Sequence, residues 1–167
     1  MLEVIVLCVC PILFAVGAIS DLVRYRIPNW VSLSLVAAFA LAFVLSGQPL
    51  AVAGAHLLAG LVALAATVGL FAIGAFGGGD IKFFSAGALW AGPLALADFA
   101  FWMAIAGGVL AVSLLVIRRT PLSTLSTDSP SGHHVLKPRT GMPYGVAIAV
   151  GAMIALPKTP LFQMVLA

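Results

Sequence analysis

Of the five acidic residues, Glu3, Asp21, Asp80, Asp98 and Asp128, two stand where a carboxylate is expensive unless it is used. Asp21 closes a long apolar run, and Asp80 opens another immediately after Gly77-Gly78-Gly79. Two carboxylates folded to within a few ångströms of each other cannot both ionise cheaply. Such a pair holds one proton near neutral pH and titrates as a unit. The ionised member takes a proton from water while the protonated member polarises a carbonyl, which is how paired aspartates hydrolyse peptides. Bare backbone ahead of Asp80 suits that chemistry, since a substrate peptide can come close to a loop of glycines.

Competing chemistries fail on spacing. Gly77 to Lys82 lacks both the spacing and the hydroxyl of a phosphate-cradling loop, and no strand precedes it as a dinucleotide fingerprint requires. Cys8-x-Cys10 matches neither a zinc knuckle nor a redox pair, and His133-His134 have no companion ligands, so no metal and no cofactor is expected. His56 is expected to pack or hydrogen-bond within its span. Lys82 has two readings: contact with a carboxylate or the developing oxyanion, or a boundary lysine facing headgroups. Arg24 and Arg26 read first as topology determinants, with contact to acidic groups of a substrate or to the aspartates as the second reading, which makes Arg24 a candidate supporting residue. Asn29 is expected to cap a helix start, while Pro143 and Gly145 either shape an access groove or simply begin a span.

The elements that must position Asp21 and Asp80 are membrane helices. Of the 167 residues, 63% are hydrophobic and 8% charged, against about 25% charged in a soluble domain. The net charge of +3 comes from dispersed Lys and Arg and forms no patch suited to nucleic acid. The opening Met1-Leu2-Glu3 lacks the basic start of a secretory signal, so the first apolar run is expected to remain as a span. Spans are predicted over residues 4–20, 31–45, 51–76, 81–96, from the Gly92-Pro93-to-Asp98 break to 117, and 142–156. That is an all-α polytopic bundle of about six helices forming one domain over residues 1–167. Residues 118–140, rich in Ser, Thr, Pro and charge, read as a mobile loop. No internal repeat of the transporter kind is visible.

Six spans put the termini on one side and the segments 21–29, 77–82 and 118–140 on the other. Seven of the eight basic residues lie in those three segments, and only Lys158 lies opposite. By the positive-inside rule the three segments face the cytoplasm. Asp21 and Asp80, 59 positions apart, then share one membrane face.

These residues resemble the type IV prepilin peptidases, intramembrane aspartic proteases. Asp21 followed by Arg24, Arg26 and Ile27-Pro28-Asn29 is similar to the family's first-aspartate segment. Gly77-Gly78-Gly79-Asp80-Ile81-Lys82 resembles its G-x-G-D motif, and Met142-Pro143-Tyr144-Gly145 resembles the segment that opens its last span. The resemblance extends over essentially the whole chain and implies that Asp21 and Asp80 activate water to cut the short basic leader from a pilin precursor. It implies a bacterial inner-membrane protein in contact with lipid, its site facing the cytoplasm. Larger members carry paired C-x-x-C zinc ligands and methylate the new amino terminus. Neither pair stands here, so the chain looks like the short form associated with Flp-type, tight-adherence pili.

Two rivals use the same residues differently. A presenilin-like protease would cut within a substrate helix, but its tyrosine-aspartate motif is missing. A small transporter or pilus-assembly subunit would use the carboxylates as a proton relay, which has no need of three glycines.

Overall fold

The computed structural model describes residues 1–72, 77–119 and 142–166, and among these there is helix but no strand. Helix α1, Leu2–Arg24, takes a π-helical turn over Ile5–Val9 just ahead of Pro11, whose ring nitrogen has no hydrogen to return to the preceding turn. Helix α2, Asn29–Ser46, stops at Gly47, which has a φ of 66° and so adopts the left-handed conformation that glycine tolerates. Helix α3 is Leu50–Ala72.

The next helical stretch, Gly78–Arg119, is broken at Gly92 (φ 62°, ψ −177°), with Pro93 following. The break reverses the chain. Phe84 and Phe99 are fifteen positions apart, yet their rings stack with centroids 4.9 Å apart. A straight helix would separate them by about 22 Å. The limbs 78–91, here α4, and 93–119, here α5, therefore form a tight hairpin. Helix α6, Tyr144–Ala155, continues through a 3-10 turn at Leu156–Lys158 into α7, Pro160–Leu166, with a bend of 56°.

Four of the described helices are long and apolar enough to cross a bilayer, or five if the bent α6–α7 pair is one span. Taking the hairpin limbs separately brings the apolar segments to six, with the turn at the Gly92-Pro93 break expected from sequence. The molecule is thus an all-α membrane helix bundle.

Because lipid is as apolar as leucine, helices in a bilayer associate through close packing rather than hydrophobic burial. Gly17 admits the ring of Phe83, which also packs on Phe14 with centroids 5.4 Å apart. Gly151 lets α6 meet the α5 backbone: a Cβ there would lie 2.8 Å from the Met103 nitrogen and the Phe99 oxygen. Large apolar side chains such as Leu33, Leu57, Leu61 and Val109 point outward.

His56 repairs the hairpin turn. Pro93 has no N–H for the carbonyl four residues back, that of Leu89. His56 Nδ1 lies 2.8 Å from that oxygen. A carbonyl only accepts, so this nitrogen carries the ring hydrogen. The imidazole stacks on Phe39, centroids 5.3 Å apart, and Trp90 meets the same phenyl edge-on while its Nε1 donates to the Leu35 carbonyl at 2.9 Å. At that end of the bundle Lys158 pairs with Asp98 at 2.8 Å.

Two expectations need correction or limits. Gly78 and Gly79 are not loop: they form the first turn of α4, which begins three residues before the expected Ile81. Residues 118 and 119 belong to α5, so the segment expected to be mobile from 118 starts as helix. The rest of it, with Asp128, His133, His134, Lys137 and Arg139, lies outside the described residues.

Candidate active site

Three helix ends converge on one site. The first is the last turn of α1, which carries Asp21, 5% exposed. That helix closes when Tyr25 adopts the left-handed conformation (φ 51°) and its N–H donates to the Asp21 carbonyl at 2.8 Å. The Ser20 hydroxyl donates to the Arg26 carbonyl at 2.8 Å, turning the chain back so that Ile27 is buried.

The second is the start of α4. Gly77 accepts the first helical hydrogen bond, from the Ile81 N–H at 3.2 Å, and so occupies the capping position. Asp80, three residues on, reaches back so that its Oδ2 accepts the Gly77 N–H at 3.1 Å. This is half of a capping box, a short acidic side chain satisfying a backbone donor that the helix cannot. It explains why a run of glycines, poor helix formers, enters the helix here.

The third is the start of α6, whose cap is the buried Pro143 (φ −76°, ψ 81°). Two residues later the Gly145 N–H donates to Asp21 Oδ2 at 2.6 Å. A side chain at 145 could not fit: its Cβ would lie 2.8 Å from Asp21 Cβ and 2.9 Å from Ile27 Cδ1. Ile27 also abuts Gly79, whose added Cβ would sit 3.4 Å from Ile27 Cβ. One isoleucine therefore wedges between Gly79 and Gly145 and draws the three ends together.

The two carboxylates are close enough to act on each other electrostatically. Each has one oxygen held by a backbone N–H. The remaining oxygen of each has no hydrogen-bond partner among the described residues. No three His, Cys, Asp or Glu side chains cluster as a metal site among the described residues.

The other predicted residues divide. Gly77, Gly78, Gly79, Pro143 and Gly145 belong to this convergence. Lys82 does not contact a carboxylate: its ammonium donates to Asn29 Oδ1 at 3.0 Å. Two residues after Asp80 on a helix, a side chain points to nearly the opposite face. Asn29 makes no capping hydrogen bond, because its side chain is taken by Lys82; Pro28 is the cap residue of α2. Arg24 is exposed and pairs with no described residue. Sequence reasoning missed Ile27 as the wedge and Gly145 as a donor to Asp21. The signal for the second was a glycine two positions after a helix-starting proline, where a missing side chain marks close approach.

Fold and site define a multi-pass, all-helical membrane protein with paired carboxylates at one end of its bundle. Comparison of the sequence with family models gives a match to the type IV leader peptidase family over residues 8–112, and the chain belongs to that family. The match includes both aspartate segments and ends before Gly145. No curated protein and no solved structure matches the chain. Family membership makes it a peptidase of the leader-processing kind.

Proposed function

We propose that the chain is an aspartic endopeptidase that removes the short basic leader of a type IV, Flp-like pilin precursor at the cytoplasmic face of the inner membrane. Asp21 and Asp80 are its catalytic pair. The observation that carries this reading is the electrostatic proximity of those two carboxylates, each with one oxygen held by a glycine N–H. A water between the carboxylates loses its proton to the ionised member and attacks the scissile carbonyl, which the protonated carboxylic acid polarises. Collapse of the tetrahedral species then returns a proton to the leaving amine. The backbone N–H donors fix the carboxylate orientations, which a reaction limited by geometry requires.

Neither metal nor organic cofactor enters these steps. The choice of a Flp-like pilin rests on the resemblance to short, tight-adherence-type peptidases, and the cytoplasmic orientation on the basic residues flanking the site.

The test is cleavage of a Flp-type precursor by the protein purified in detergent. Asp21→Asn and Asp80→Asn should each lower kcat by about 10³-fold or more. The asparagines can still accept the Gly145 and Gly77 N–H groups, so helicity and melting temperature should hold. Full cleavage by either variant would remove the pair from the mechanism, and a cut in mid-helix rather than at the leader junction would favour the presenilin-like alternative.

A further inference from the structure

We propose that Lys82 and Asn29 are a positioning pair: the hydrogen bond between them fixes the rotation of α4 about its own axis and so sets Asp80 against Asp21. Their role rests on the peptidase reading above and adds two residues to the machinery that reading needs.

The start of α4 has little of its own to hold it in place. Gly77, Gly78 and Gly79 carry no side chains that could interlock with a neighbour, and the bond from the Gly77 N–H to Asp80 stays within one helix end. At the other end of α4 the helix is tied twice, by Trp90 donating to the Leu35 carbonyl and by His56 at the Leu89 carbonyl. Among the described residues, one hydrogen bond joins the first two turns of α4 to another helix. It runs from Lys82 Nζ to Asn29 Oδ1, 3.0 Å apart and 53 positions apart in the chain.

That bond adds a second point of attachment to the one Ile27 makes. Ile27 lies against Gly79, but the contact is apolar and one surface can slide over the other. Lys82 is three positions beyond Gly79, about 60° around the same helix face and about 4.5 Å along the axis. Asn29 follows Ile27 across Pro28, whose ring restricts φ and whose conformation is extended (φ −62°, ψ 140°), so the two contacts are held apart. Residues 27–29 are therefore a strut laid along the start of α4. Two points of attachment fix a rotation that one leaves free. The strut is itself set against Asp21, because Ser20 holds the Arg26 carbonyl and Ile27 abuts Gly145, whose N–H donates to Asp21.

Asp80 is sensitive to that rotation. Its carboxylate stands about 5–6 Å from the helix axis, so a turn of about 10° carries it about 1 Å. A displacement of about 1 Å at a reacting centre can cost about 10²-fold in rate. A freed helix still visits the working setting, which keeps the expected loss below that limit. A lysine that merely faced headgroups, or that steadied charge on the reacting carbonyl, would have no need of Asn29.

The experiment is a double-variant cycle on cleavage of a Flp-type precursor by the full chain purified in detergent. Lys82→Met and Asn29→Ala should each lower kcat about tenfold and leave KM within about twofold, the split expected when geometry rather than substrate binding is lost. The double variant should also lose about tenfold rather than a hundredfold, because both changes break the same bond. Lys82→Arg, which keeps a donor, and Asn29→Asp, which keeps the acceptor oxygen, should each retain most of kcat. Both side chains are exposed, so the melting temperature should move little in any of these variants. A loss in Lys82→Met with none in Asn29→Ala, a hundredfold loss in the double variant, or losses that track the melting temperature would overturn the pair. If the unaltered protein cleaves the precursor and both single variants match it, the pair falls alone. If it cleaves no precursor at all, the peptidase reading falls and the pair with it.

Discussion

Gly145 shows how little room the site leaves at the level of single residues. Its N–H holds Asp21 at 2.6 Å, and a methyl group in place of its hydrogen would lie 2.9 Å from the same carboxylate oxygen. Gly145→Ala should therefore push Asp21 away from Asp80 and lower kcat by about 10²-fold, the scale set by a displacement of about 1 Å at a reacting centre. Cleavage assays alongside a melt that stays cooperative would check this. Gly54→Ala is the contrast. Nothing lies within 4 Å of a Cβ there, so it should leave cleavage unchanged and stabilise α3 by up to about 1 kcal/mol through helix propensity. At this scale the sequence disclosed which residue types matter but not whom they touch. Lys82, two positions from Asp80, invited a contact with that carboxylate, yet helical geometry turns it toward Asn29. The donors to the aspartates are backbone groups, which a residue type signals only indirectly, as the glycine at 145 signals close approach.

Among the elements, the α4–α5 hairpin carries the clearest dependence on a distant side chain. The apolar stretch from Ile81 to Ile117 is too long for one span, so a turn at Gly92-Pro93 was legible from length and breaker residues. Its repair was not, because the histidine that accommodates the orphaned Leu89 carbonyl comes from α3, 33 positions earlier. His56→Ala should leave that buried acceptor unsatisfied and cost about 1–3 kcal/mol, measured as a lower melting temperature in detergent. His56→Gln, which keeps a donor, should lose less. Gly92→Ala is expected to be more damaging than His56→Ala, since it combines a left-handed φ with a Cβ 2.6 Å from His56 Nε2. The start of α4 was misjudged for a comparable reason. Glycine argues against helix by propensity, but the bond from Gly77 N–H to Asp80 is a local gain that propensity does not count.

For the molecule as a whole, the placing of charge in the chain was sufficient to bring both aspartates to one end, because each of the two apolar runs between them has room for only one crossing. Lys158 and Asp98 meet at the opposite end, where the sequence expected both. In a protein with Cys8 and Cys10 replaced by Ala, a membrane-impermeant maleimide added to intact cells should label Gln48→Cys, between α2 and α3. It should reach Arg26→Cys only after the membrane is opened. The reverse pattern would turn the site to the outside and reject the cytoplasmic assignment.

The hairpin also bears on how the protein is made. Limb α4, fourteen residues long, rises only about 21 Å, less than the roughly 30 Å a lone helix must cover. Alone it leaves a mismatch that thinning of the bilayer or packing against α3 and α5 takes up. The backbone donor that holds Asp21 comes from Gly145, near the end of the chain. The site is therefore complete only when the last long helix has joined the bundle.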